Sequence, residues 1–155
     1  MKKLFTLLFA SSVLLTNAQD PFTLSIFGDD YVPLEGSTSL NNGEVWDDPS
    51  YDIPIGFDFY LFDQGMQNIL LSDWGVGGML TTPVTGDEIQ ILVAYGSDII
   101  DPGYYQDSSQ ANISYQVDGN FPTRIFKLEW DNCAFWDELS DTGTSGNRVS
   151  FQLWL

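Results

Sequence analysis

Phe126-Lys127-Leu128-Glu129-Trp130-Asp131 changes character at every step, from apolar to charged and back. A period of two sends successive side chains to opposite faces of an extended chain. The stretch therefore predicts a strand with Phe126, Leu128 and Trp130 on a core face. Lys127, Glu129 and Asp131 fall on the other face, which is expected to be wet. The same period recurs on both sides of this segment. Ile55, Phe57, Phe59 and Leu61 alternate with Gly56, Asp58, Tyr60 and Phe62, and Ile113, Tyr115 and Val117 alternate with Ser114 and Gln116. Ile89, Ile91, Val93 and Tyr95 alternate with Gln90, Leu92 and Ala94, and Val149, Phe151, Leu153 and Leu155 with Ser150, Gln152 and Trp154. Weaker strand patterns cover 22–27, 68–72 and 75–80. No stretch sustains a 3.6-residue period.

Turn chemistry separates these runs. Asn41-Asn42-Gly43, Asp47-Asp48-Pro49, Thr85-Gly86-Asp87, Asp101-Pro102-Gly103 and Asp118-Gly119-Asn120 combine residues that tolerate or require turn backbones. Short alternating strands at such intervals predict an all-β antiparallel sandwich, jelly-roll-like, with little or no helix. Phe57, Phe59, Phe126, Leu128, Trp130, Phe151 and Leu153 are expected to share one inter-sheet core.

The chain opens with Lys2-Lys3, an apolar run to Leu15, and Thr16-Asn17-Ala18. That order is the pattern of a secretory signal peptide, and the run is shorter than the ~20 apolar residues of a membrane span. Asp20-Pro21 would stop any helix there. The expected domains are therefore a leader at 1–18 and a single extracellular domain at 19–155. The expected location is outside the cell or on its surface, with no membrane insertion. The sequence holds 22 acidic and 5 basic residues. Loss of Lys2 and Lys3 would leave three basic residues and a net charge of −19. Such a charge repels phosphate backbones and anionic lipid, which argues against nucleic acid as a partner.

The chain has no histidine and one cysteine. Histidine-based triads, histidine-ligated zinc and a histidine general base are thereby excluded. Cys133 has no partner for an internal disulfide and reads as a buried apolar side chain. No catalytic residue is assigned and no cofactor is required, so the expectation is a protein that is not an enzyme. Glu129 and Asp131 are the nearest approach to a carboxylate pair. Calcium is the metal the composition would suit, since it takes 6–8 oxygen ligands. Its candidate ligands are Asp47, Asp48 and Asp52. A second acidic group, Asp137, Glu138, Asp141 and Asn147, is expected in the longest loop, and neither group has EF-hand spacing. Trp74 and Trp154 are the candidate exposed aromatics for ligand binding. Trp130 is expected to pack in the core, and Trp46 and Trp136 to lie in or beside loops.

Pro33-Leu34, Ser39-Leu40-Asn41-Asn42-Gly43, Trp46-Asp47-Asp48-Pro49 and Ile53-Pro54-Ile55-Gly56-Phe57-Asp58-Phe59 together resemble the N-terminal β module of secreted proteins from bacteria with type IX secretion. Arg124 to Asn132 and Phe151-Gln152-Leu153-Trp154-Leu155 continue that resemblance, and they are also similar to the nidogen-like extracellular β domain. The resemblance implies a module for adhesion or protein interaction. The alternative is a carbohydrate-binding module of a polymer-degrading protein, so the expected partner is an extracellular protein or a glycan. Proteins of this kind carry a C-terminal sorting domain, and Leu155 ends an apolar strand. The domain is therefore expected to be truncated at its C-terminus.

Overall fold

A computed structural model describes residues 25–26, 28–61, 64–72, 77–82 and 91–155. The expected leader at 1–18, the expected 18/19 boundary, Trp74 and the turn at 85–87 lie outside the described residues. So does most of the weak strand pattern at 22–27. The elements described below all belong to the compact unit Tyr31–Leu155.

The chain forms β1 (Thr38–Ser39), β2 (Tyr51–Leu61), β3 (Gln64–Leu71), β4 (Met79–Thr81), β5 (Ile91–Val93) and β6 (Ile99–Ile100). A 3-10 turn (Tyr104–Gln106), β7 (Asn112–Asp118), β8 (Ile125–Phe135), α1 (Trp136–Thr142) and β9 (Val149–Trp154) follow. The strands build two antiparallel sheets. The first runs β1-β7-β8-β6, with β9 also paired to β8; the second runs β2-β3-β4-β5. This is the expected all-β sandwich.

The core lies between the sheets. Ile53, Ile55, Ile69 and Leu80 from the second sheet meet Ile113, Phe126, Leu128 and Trp130 from the first, all buried. Burying each such side chain contributes roughly 1.5–3 kcal/mol. Phe57, Phe59, Phe151 and Leu153 pack on that cluster while half-buried, so the seven expected core residues do meet. Phe151 is stacked between two rings, with centroids 4.8 Å from Trp130 and 5.0 Å from Tyr95. Cys133 is fully buried. Burial, then the nearby carboxylates of Asp131 and Asp101, push its thiol well above the ordinary value.

Two expectations are corrected. First, in β5 it is Leu92 that packs on the core, while Ile91 and Val93 are exposed. Both phases of that segment are apolar, so alternation did not discriminate between them. Second, the acidic stretch from Asp137 is a helix for two turns before it becomes a loop. Asp137 and Glu138 sit in the first turn of α1, where acidic side chains favour the helix dipole. Gly143 closes it in the left-handed conformation, its N–H bonded to Leu139 O at 2.8 Å. Trp46 lies in a loop, as expected, and its side chain joins the core. It is buried, and its carbonyl accepts the Asp101 N–H at 3.1 Å.

Asp101 explains how the segment between β6 and β7 holds its shape. Its carboxylate is fully buried and accepts from Gly103 N at 2.7 Å, Gln110 N at 2.9 Å and Ser109 Oγ at 2.5 Å. A buried charge is tolerated where donors surround it in this way.

Candidate functional site

The outward residues of β7, β8 and β9 stand in register across the first sheet. One row is Ser114, Glu129 and Gln152; the next is Gln116, Lys127 and Trp154. Alternation places all six on the same face.

The expected wet face is only partly wet. Glu129 is just 3% exposed, because the segment 31–34 crosses above it. Its Oε1 accepts from Tyr31 Oη at 2.7 Å, Leu34 N at 2.9 Å and Gln152 Nε2 at 2.7 Å. Ser114 Oγ donates to Oε2 at 3.5 Å. The strap is tied a second time where Gln152 Nε2 donates to Val32 O at 2.8 Å. Burial is the main cause that raises the Tyr31 phenol above its ordinary value, and the hydrogen bond and charge of Glu129 add to it.

Trp154 lies beyond the strap and is 57% exposed, on the outward phase expected for it. Its ring does not swing freely. Nε1 donates to Gln152 Oε1 at 2.8 Å, and the Lys127 ammonium stands 4.4 Å from the ring centroid. Lys127 is itself anchored to Asp118 at 2.6 Å. The Lys127 hydrogen bond is the main reason the Asp118 carboxyl lies below the usual range. A continuous relay thus runs from the exposed indole through Gln152 to the buried Glu129. Cation–π contact and hydrogen bonds fix the indole before any partner arrives.

The remaining candidates are dispersed. Asp52 lies on β2, where its Oδ1 accepts from Asn68 Nδ2 at 2.7 Å. Asp47 forms an isolated antiparallel bridge with Ile100, and Asp48 adopts a positive φ of 50° in the adjoining turn. Glu138 accepts from Asn147 Nδ2, from Asn147 N at 3.2 Å and from Ser145 Oγ at 2.8 Å. Those bonds, the Asn147 side chain's first, hold its carboxyl below the ordinary range. Among the described residues, no group of three or more histidine, cysteine or carboxylate side chains converges as a metal site would. Asp131, the other member of the candidate carboxylate pair, accepts from Ser150 Oγ at 2.8 Å. Trp74 falls outside the described residues. The strap through Tyr31 and the role of Lys127 carried no sequence signal beyond composition and strand phase.

An antiparallel two-sheet sandwich with a strapped polar face and a fixed exposed indole is the class that fold and face define. The family model described as NIDO related matches residues 22–155, and the chain belongs to that family. No curated protein and no solved structure matches it. No helix among the described residues is long and apolar enough to cross a membrane.

Proposed function

We propose that this chain is a non-enzymatic extracellular module that binds a partner protein, in adhesion or assembly, through the outer face of its first sheet around Trp154. The observation that carries the reading is the fixed, exposed indole held by Lys127 and Gln152. Ile125, also exposed, adjoins Lys127 on the same face. Tryptophans presented in this way dominate binding energy at protein interfaces. Glu129, the carboxylate best placed for chemistry, is occupied by four donors and covered by the strap, which supports binding over catalysis. The NIDO-related assignment supports an extracellular setting. On this reading the leader at 1–18 exports the chain. It then serves the surface or released proteins of bacteria with type IX secretion that its motifs resemble.

The test compares labelled wild-type chain with Trp154→Ala for binding to the surface of the producing cells. The expected loss is about thirtyfold, the scale of a ~2 kcal/mol hot spot. Equal binding by the two would remove Trp154 as the contact. Absence of binding by the wild type would remove the adhesive reading.

A further inference from the structure

The second sheet carries an exposed aromatic of a different kind. Tyr60 faces outward from β2 and is 68% exposed. Its ring lies against Gly65 of β3, the residue paired to it across the hairpin. A Cβ at Gly65 would stand 2.9 Å from Tyr60 Cε1, 3.3 Å from Cζ and 3.4 Å from Cδ1. Three consecutive ring atoms thus rest on bare backbone, which glycine alone allows. Most of the Tyr60 side chain is nevertheless open to solvent.

The surroundings of this ring are polar. Asp58 lies two residues before it on the same strand face, and its Oδ1 accepts from Gln67 Nε2 at 2.8 Å. A hollow of about 480 Å³ is lined by Asp58, Tyr60, Gly65, Met66 and Gln67. A second, of about 260 Å³, shares Gln67 and continues along the hairpin to Asn68, Pro54 and Gly56. The second hollow lies where β2 bulges: between Pro54 and Phe59 the register with β3 shifts, and Gly56 takes a φ of 82°. Asn68 is held by Asp52 at 2.7 Å.

We infer that this face is a binding site for a neutral hexose polymer, with Tyr60 as its stacking platform. A pyranose has an apolar C–H face and a rim of hydroxyls. One bare ring suits the first, and an adjacent carboxylate and amide, fixed by their mutual bond, suit the second by accepting and donating. The polar neighbours Asp58 and Gln67 beside the ring suit a hydroxylated ligand. Acidic sugars are disfavoured, because Asp52, Asp58 and a net charge of −17 repel them. Two hollows sharing one residue fit consecutive sugar units better than a single small ligand.

The experiment is calorimetric titration of the full chain with cellohexaose, laminarihexaose and mannohexaose, with a hexagalacturonate as the acidic control. At least one neutral hexasaccharide is expected to bind, and the acidic one not to. Tyr60→Ala is expected to weaken binding about tenfold or more, equivalent to ~1.4 kcal/mol. Gly65→Ala keeps the ring but pushes it off its seat, and is expected to weaken binding several-fold. Trp154→Ala lies on the other sheet and is expected to bind as the wild type does. Thermal melts of each variant confirm folding. Failure of every neutral hexasaccharide at millimolar concentration would overturn the inference. So would unchanged affinity in Tyr60→Ala, or equal binding of the acidic sugar.

Discussion

Removing the Glu129 carboxylate would strand the Tyr31 hydroxyl, the Leu34 N–H and the Gln152 amide at once. Hydrogen bonds to a charged group contribute about 1.5–3 kcal/mol each, and they are not additive. Glu129→Ala is therefore expected to lower stability by about 3 kcal/mol in a urea melt, and a loss under about 1 kcal/mol would mean that the strap is not held here. The phase of Glu129 was legible in the alternation of β8. Its burial was not, because the covering segment lies 95 residues earlier in the chain and has no periodic signal of its own. The protonation of three groups sets a second expectation. Cys133, Tyr31 and Tyr51 all have folded values raised above ordinary, each chiefly by burial. A raised acid binds its proton more tightly in the folded chain. The stability it contributes is fully present below its unfolded value and is lost as pH rises above that value. The decline should begin near pH ~8.5–9 with Cys133 and steepen above ~10 with the tyrosines. Cys133→Ala should delay its onset and Tyr31→Phe should flatten the steeper part. An alkaline limb unchanged in both variants would contradict this account.

At the scale of elements, strands were legible where one face is apolar and the other is not. β2, β7, β8 and β9 satisfy that condition, and each appears with its expected phase. β5 does not satisfy it, since Ile91, Leu92 and Val93 are apolar throughout. What selects its phase is the pairing of Leu80 with Leu92, Leu80 being fully buried. Leu92→Ser should accordingly cost at least ~2 kcal/mol and Val93→Ser less than ~0.5 kcal/mol in denaturant melts. The reverse order would restore the opposite phase. β1 and β6 are two residues each, too short for any period to declare itself. α1 is seven residues, which is also too short, although its acidic first turn and Gly143 were visible as terminal signals. Phe126 tests the core that the strong strands build together. It is fully buried and lies in the middle of the inter-sheet cluster. Phe126→Ala should cost about 3–5 kcal/mol.

For the whole molecule, the dominant property is an excess of negative charge, with a formal net of −17. Like charges repel within a compact state, and the repulsion weakens as salt shortens the screening length from about 30 Å at 0.01 M to about 10 Å at 0.1 M. Any cation should therefore stabilise this fold somewhat, and a rise in melting temperature with calcium alone says nothing about a site. The candidate calcium ligands sit in different settings. Asp52 holds Asn68 on the outer face of the second sheet, whereas Asp47 is bridged to Ile100 beside the first. Glu138 is engaged by Ser145 and Asn147. The Asp52 and Glu138 carboxylates are already engaged by neighbouring side chains and backbone, so recruiting either to an ion would mean breaking those bonds. The expected result is that calcium and magnesium, at matched ionic strength, raise the melting temperature equally, with no saturation below a few millimolar. A specific site behaves differently. It would stabilise by mass action, saturate, and favour the larger ion with its flexible coordination. A calcium-only rise that a chelator reverses, and that Asp47→Asn or Asp48→Asn abolishes, would assign calcium to that turn and overturn the screening account. The same rise lost only in Glu138→Gln would place the ion at the end of α1 instead.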